Sequence, residues 1–229
     1  MIKAYHFLSD DMRSEEDIVA GQDEPWHLGE LRTFVPIRLD GGDGRFISLP
    51  GYRSSPSLWD AMMQADGPIA CAVEISDPIS TDGDIQQGFF QISILRQLIA
   101  AADLTSELRL FACACAERVL SIFETSYPRD DRPRRAISTA LDYAQHRATA
   151  DDLKSALTIA RDAAERAAGQ ARIAALSAFG ITFADSHDAA MTAIRNAAWA
   201  VDGRATPGSG TERTWQRDYF NCKFANIFD

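Results

Sequence analysis

Two periods divide the chain. Over the first hundred residues the apolar positions come in short runs broken by glycine and proline. Residues 2–8 and 33–39 are strand-like, and Pro36 inside the second run makes it an edge strand. Gly41-Gly42-Asp43-Gly44 reads as a turn into a further strand over 46–49. A short helix is expected over 56–63, started by Pro56 or Ser57, with Trp59 and Met62/Met63 on one side. The run IACAVEI at 69–75, bounded by Gly67-Pro68 and Asp77-Pro78, is the strongest strand pattern in the protein. From about Ile92 the period becomes helical. Residues 92–102 predict a connecting helix. A second helix is capped by Thr105 or Ser106 and runs through Leu108, Phe111, Cys115, Val119 and Phe123 until Pro128 stops it. Asp130 or Asp131 then caps a helix over 133–147, with Pro133 in a first turn where its missing N–H costs little. One long helix is expected over 150–179, ended by Gly180, another over 186–201, a flexible loop at 204–210, and a last helix over 211–228 docked by Trp215, Tyr219 and Phe220.

The fold class expected is α+β: a small acidic α+β N-terminal unit, 1–91, followed by an all-α, Ala-rich helical bundle, 92–229. The bundle reading rests on 18 alanines between residues 150 and 200. Ala156, Ala160, Ala163, Ala167, Ala171, Ala174 and Ala178 step by three or four, so they form one stripe along a helix. Small side chains there let a neighbouring helix come close. A groove lined by alanine offers almost no polar chemistry.

Charge follows the same division. The chain has 229 residues and a net charge of −10. Residues 1–103 hold 7 basic and 17 acidic side chains, whereas 104–229 hold 16 of each. The excess therefore belongs to the first unit, where Asp10, Asp11, Glu15, Glu16 and Asp17 cluster, with Asp23 and Glu24 close behind. Such a field disfavours direct nucleic-acid binding. It is either a solvated surface or a face that steers a basic protein partner. No run of about 18 apolar residues suggests a membrane span, and residues 1–11 lack the pattern of a secretory signal. A cytoplasmic protein with reduced thiols is expected, since Cys71, Cys113, Cys115 and Cys222 do not form a disulfide framework.

Catalytic and metal patterns are weak. Cys113 and Cys115 stand two apart on a helix, so their side chains diverge by about 200° at 3.6 residues per turn. His6, His27, His146 and His187 lie far apart in sequence, without zinc-site spacing. Ser54 and Ser55 lack a nucleophile-elbow glycine pattern, and the glycines at 41–44 lack a following Lys-Ser/Thr. No catalytic residue, metal or cofactor is expected. One polar constellation stands out. Glu117, Arg118 and Glu124 lie on the helix before Pro128, and Asp131, Arg132, Arg134 and Arg135 begin the next. Arginines at a helix N-terminus oppose the dipole. Glu117 and Glu124, seven apart and on one face, are the candidates to compensate them and staple the hairpin. A polar binding site is the other reading.

Cys115-Ala-Glu117-Arg118-Val-Leu, Phe123-Glu124 and Tyr127-Pro128…Arg132-Pro-Arg-Arg-Ala-Ile137 resemble the helical-domain signature of immunity proteins from bacterial polymorphic toxin loci. The resemblance spans roughly 107–229 and closes on Glu212-Arg213-Thr-Trp215-Gln216; the Pro-Gly-Ser-Gly at 207–210 departs from it. It implies a protein that binds and neutralises a toxin, with no catalytic residues to carry over. The first half is similar to a small uncharacterised domain of phage and prophage proteins. The matching residues include Lys3-Ala-Tyr5, Trp26-His-Leu-Gly29-Glu30, Gly51-Tyr52-Arg-Ser54-Ser55-Pro56, Trp59-Asp60-Ala61 and Val73-Glu74-Ile75. Its aromatic start also resembles ADP-ribosyltransferase-like folds, although Glu74 is a lone carboxylate where a pair would be needed.

The expectation is a non-enzymatic inhibitor whose partner is a protein: a toxin, or a host defence complex. One alternative is a phage-encoded, anti-CRISPR-like protein whose acidic face blocks a nucleic-acid channel. The alternative from another class is a nucleotide-using transferase on the first unit. Homo-oligomerisation stays open.

Overall fold

A computed structural model of the protein describes residues 1–40, 46–65, 67–84, 88–203 and 210–228. The turn expected at 41–44 and residues 204–209 of the expected loop lie outside the described residues. The fold is α+β. The chain forms two compact units, one of Met1–Asp103 with Phe224–Asp229 and one of Leu104–Lys223. The division falls after Asp103, later than the change of period places it.

The first unit runs β1 (Ile2–Leu8), α1 (Glu15–Val19), β2 (Leu31–Thr33), β3 (Ile37–Asp40), β4 (Phe46–Leu49), β5 (Tyr52–Ser54), α2 (Leu58–Met63), β6 (Ile69–Ile75), β7 (Ser80–Asp84), β8 (Gly88–Ser93) and β9 (Leu95–Asp103). Four antiparallel strands form the main sheet in the order β1-β6-β9-β2. The apolar run of β6 sits between β1 and β9; it is buried throughout Ile69–Cys71 and alternates between buried and half-buried from Cys71 to Ile75. β1 pairs with it from Ile2↔Ile75 to Leu8↔Ile69. A second sheet, β5-β8-β7, meets the first where Tyr5 and Ser55 exchange backbone hydrogen bonds of 2.7 and 2.8 Å. A Cβ on Gly51 would collide with the Ser93 carbonyl, so only glycine fits where β5 begins beside β8. The core gathers Leu8, Trp26, Phe34, Tyr52, Val73, Ile75 and Leu98.

Two expectations change in this unit. Residues 92–102 are not a helix but the end of β8 and most of β9. Leu95, Leu98 and Ile99 mimic a helical period, yet the buried positions are Arg96 and Leu98, two apart. An arginine turned inward hides the alternation. The expected strand at 33–39 is split into β2 and β3: buried Phe34 gives its N–H to Ile94 (2.8 Å) beyond the end of β2, and Pro36, which has no N–H to give, stands before β3.

The second unit comprises α3 (Thr105–Ser126), α4 (Arg132–Ala144), α5 (Ala150–Arg166), α6 (Gly169–Gly180), α7 (Ser186–Asp202) and α8 (Thr211–Lys223). α3 is central, packed by α4, α6 and α7, and buries Leu108, Phe111, Cys115, Val119 and Phe123. The long helix expected over 150–179 is two helices. Ala167 and Ala168 are both extended (ψ 160° and 162°), and Gly169 follows with φ +57°. All seven alanines of the stripe are nevertheless buried. A Cβ on Gly180 would strike the Thr192 methyl, so small residues set the α6–α7 approach.

Arg109 supplies the polar lock of this bundle. Only 1% exposed, it donates to the carbonyls of Ile181 (2.7 Å), Phe183 (2.8 Å) and Ala184 (2.8 Å), with its guanidinium over the Tyr143 ring at 5.1 Å. Burial lowers its pKa. Among the described residues, no helix is long and apolar enough to cross a membrane.

Candidate functional site

The signature residues at the two ends of the helical unit meet in space. On α3, Cys115, Ala116, Val119, Leu120 and Phe123 turn inward, leaving Glu117 and Arg118 exposed. Arg118 Nε reaches Glu212 on α8, 94 positions away, at 3.2 and 3.0 Å to its two carboxylate oxygens. Its guanidinium lies 4.0 Å from the Trp215 ring centroid. Glu212 is 2% exposed, and burial pushes its carboxyl above the ordinary value despite the opposing pull of Arg118. One turn further along α8, Gln216 is fully buried and donates to the Ile194 carbonyl on α7 (3.1 Å). Tyr219 and Phe220 pack on Phe111 at ring distances of 5.8 and 5.5 Å. The aromatics dock the last helix, and Arg118, Glu212 and Trp215 make a half-exposed charged seam over it.

The hairpin network differs from the expected staple. Glu124 does fork onto Arg134, at 2.7 and 2.8 Å, but the pair is largely exposed. Glu117 pairs with none of the hairpin arginines, and Arg118 turns to α8 instead. Asp131 occupies the N-cap of α4 without a side-chain cap bond. Arg132 binds Asp130 through Nε (2.8 Å) and ties it to Asp162 on α5, so this link reaches past the hairpin. The hydrogen bond from Arg132 holds the Asp130 carboxyl below its ordinary value.

The seven acidic residues near the N-terminus also separate. Asp10, Asp11, Glu15, Asp23 and Glu24 are exposed, and Arg13 lies between Asp11 (3.3 Å) and Asp23 (3.4 Å). Glu16 and Asp17, expected with them on an acidic face, are buried instead. Asp17 accepts from Trp26 Nε1 (2.6 Å), Ser14 Oγ (2.8 Å), Tyr52 Oη (2.9 Å) and Arg32 Nη1 (3.3 Å). Burial and the Asp17 charge raise the Tyr52 pKa. Glu16 accepts the Arg53 N–H (3.0 Å) and faces Arg96 at 3.5 Å. Arg96, 1% exposed, lies 4.4 Å from the Tyr52 ring centroid. α1 turns these two carboxylates inward, and Ser14, its N-cap, receives the Asp17 N–H (3.2 Å). The Ser14-x-x-Asp17 spacing was the available signal for a structural role; a run of acids conceals it.

Three of the four thiols, Cys71, Cys113 and Cys115, are buried. Burial pushes Cys71 and Cys113 up to about 12, and Cys115 is raised too, so they stay protonated and unreactive at neutral pH. Asp185, His187 and Asp188 bring possible ligand atoms within 4.8 Å of one another, but Asp185 already receives the Asp188 N–H (2.7 Å) as the N-cap of α7.

Residues 99–221, just over half of the chain, match the family described as Imm-5 like putative immunity protein. No curated protein and no solved structure matches the chain. The match takes in Arg118, Glu212 and Trp215 and stops short of the first unit's core strands β1 and β6.

Proposed function

The chain belongs to the Imm-5 like immunity family, and on that premise we propose that it is a non-enzymatic inhibitor that binds and neutralises a protein toxin. The observation that carries this reading is the family match over 99–221, both of whose signature ends converge on the Arg118–Glu212–Trp215 seam. The arrangement supports a division of labour. The helical unit is a tightly packed scaffold whose charged groups close helix on helix. Asp10, Asp11, Glu15, Asp23 and Glu24 leave an exposed negative field on the first unit. Such a field attracts a basic protein surface, accelerating encounter and rejecting acidic partners.

The test is coexpression with the toxin encoded beside this chain in its native locus. Growth restored by the full chain, together with a stoichiometric complex in size-exclusion chromatography, is the expected result. Toxicity unchanged at saturating expression, with the two proteins eluting apart, refutes the reading.

A further inference from the structure

The first unit contains a cavity of about 280 Å³, walled by β1, α1, β5, α2 and β8, whose lining includes His6, Glu16, Arg53, Ser54, Gln64 and Phe90. Two polar atoms of its wall have no hydrogen-bond partner: His6 Nε2 and Ser54 Oγ. The residues are 7% and 2% exposed. Native proteins rarely leave such atoms unsatisfied, because the lost hydration is not repaid.

The geometry places the two together. Tyr5 and Ser55 form an antiparallel bridge, so His6 and Ser54 are the next opposed positions along β1 and β5. Opposed residues project to the same side of a pair. The imidazole is engaged at the Arg53 backbone, and burial and the Arg96 charge both lower its pKa. Nε2 is therefore left as a bare acceptor. The nearest carboxylate oxygen, Glu16 Oε2, is 3.8 Å away, too far for a hydrogen bond, and Glu16 is already held by Arg96 and the Arg53 N–H. The wall thus offers one acceptor beside a hydroxyl that can donate or accept. The Glu16 charge is answered by Arg96, and Phe90 supplies an aromatic face beneath the Arg53 guanidinium (5.1 Å).

We propose that this cavity is a binding site for the vicinal hydroxyls of a small neutral sugar, either free or as the ribose of a nucleoside. One hydroxyl donates to His6 Nε2 and its neighbour pairs with Ser54 Oγ. The volume lies just below the usual range for drug-sized ligands, roughly 300–1,000 Å³, which suits a sugar or nucleoside and not a dinucleotide. The site is independent of the inhibitor reading, and neither stands or falls with the other.

The experiment is a titration of the full chain, labelled with ¹⁵N-histidine, with ribose, adenosine and 2′-deoxyadenosine. In the free protein the Nε2 signal of His6 is expected at the position of an unprotonated nitrogen, and to move on adding a diol. A response to both ribose and adenosine identifies the free sugar as sufficient; a response to adenosine alone identifies the nucleoside. Loss of one hydrogen-bonding group makes 2′-deoxyadenosine about tenfold weaker than adenosine. Ser54→Ala weakens binding by a similar factor while leaving the melting temperature unchanged or higher. No movement of the Nε2 signal with either diol at millimolar concentration, or equal binding of adenosine and its 2′-deoxy form, overturns the proposal.

Discussion

In the first unit four charged side chains, Glu16, Asp17, Arg32 and Arg96, sit in or against the core, with Arg32 over the Trp26 ring and Arg96 over that of Tyr52. In the second, the layer between α5, α6 and α7 is almost entirely alanine, and its fully buried arginine, Arg109, answers to carbonyls and not to a carboxylate. Both interiors are dense, yet they depend on different things. A network of buried ions holds only while each member keeps its partner, since removing one leaves the other charged and uncompensated. An alanine interface holds by shape alone, and most of its stabilisation is spread thinly over many small contacts. The first unit can therefore offer polar groups to a ligand, and the second serves as a frame.

The comparison is broken most severely at Asp17. Asp17→Ala orphans the buried Trp26 and Tyr52 donors and takes one of its carboxylates from Arg32, which keeps Glu30, and is expected to cost about 3–5 kcal/mol in urea unfolding. A loss below about 1 kcal/mol would place this carboxylate among ordinary surface charges. Next comes Arg109→Met, which keeps the apolar stem but strips three carbonyls of their donor. A loss of about 2–4 kcal/mol is expected in the same measurement, and a neutral outcome would show the bundle held by alanine packing alone.

Glu212 sharpens the contrast, because it is a buried carboxylate inside the frame. Its carboxyl is held above the ordinary 4.5 by burial, against the pull of Arg118. The folded chain thus binds this proton more tightly than the unfolded one. The group favours folding most below about pH 4.5, and that contribution is lost as pH rises through its folded value. The stability of the native chain relative to Glu212→Gln is expected to increase as pH falls from 7 to 4. A difference that stays flat or shrinks contradicts the assignment. The smallest effect belongs to the hairpin. Glu124→Ala is expected to cost at most about 1 kcal/mol, since its fork with Arg134 is largely exposed, and Glu117→Ala less than that.

The sequence pattern revealed the elements whose burial comes from apolar residues. β6, α3 and the alanine stripe stand out by period, and the docking aromatics of α8 by type. The concealed elements were those whose inward positions are charged. β9 passed for a helix because Arg96 faces the core, and Asp17 passed for a surface acid because its neighbours Glu15 and Asp10 are exposed. The break at Ala167–Ala168 left no mark either, since alanine is equally at home on both sides of it and only Gly169 hints at the turn. Within the candidate site the signature was readable, but the pairing of Arg118 with Glu212 spans 94 positions and follows from the packing of α8, not from local spacing. His6 and Ser54 drew no attention as a pair because they come together only through the Tyr5–Ser55 bridge.

The reading of this chain as an electrostatically guided inhibitor is tested most directly by its association rate with the toxin of its own locus, measured across ionic strength. The native chain is compared with one carrying Asp10→Lys, Glu15→Lys and Glu24→Lys, a choice that leaves the Arg13 pairs with Asp11 and Asp23 in place. The expected result is an on-rate lower by about tenfold at low salt, with a flattened salt dependence and a dissociation rate that changes much less. An on-rate indifferent to both the reversals and salt contradicts the account and moves the binding surface to the helical unit, around Trp199, Trp215 and Tyr219.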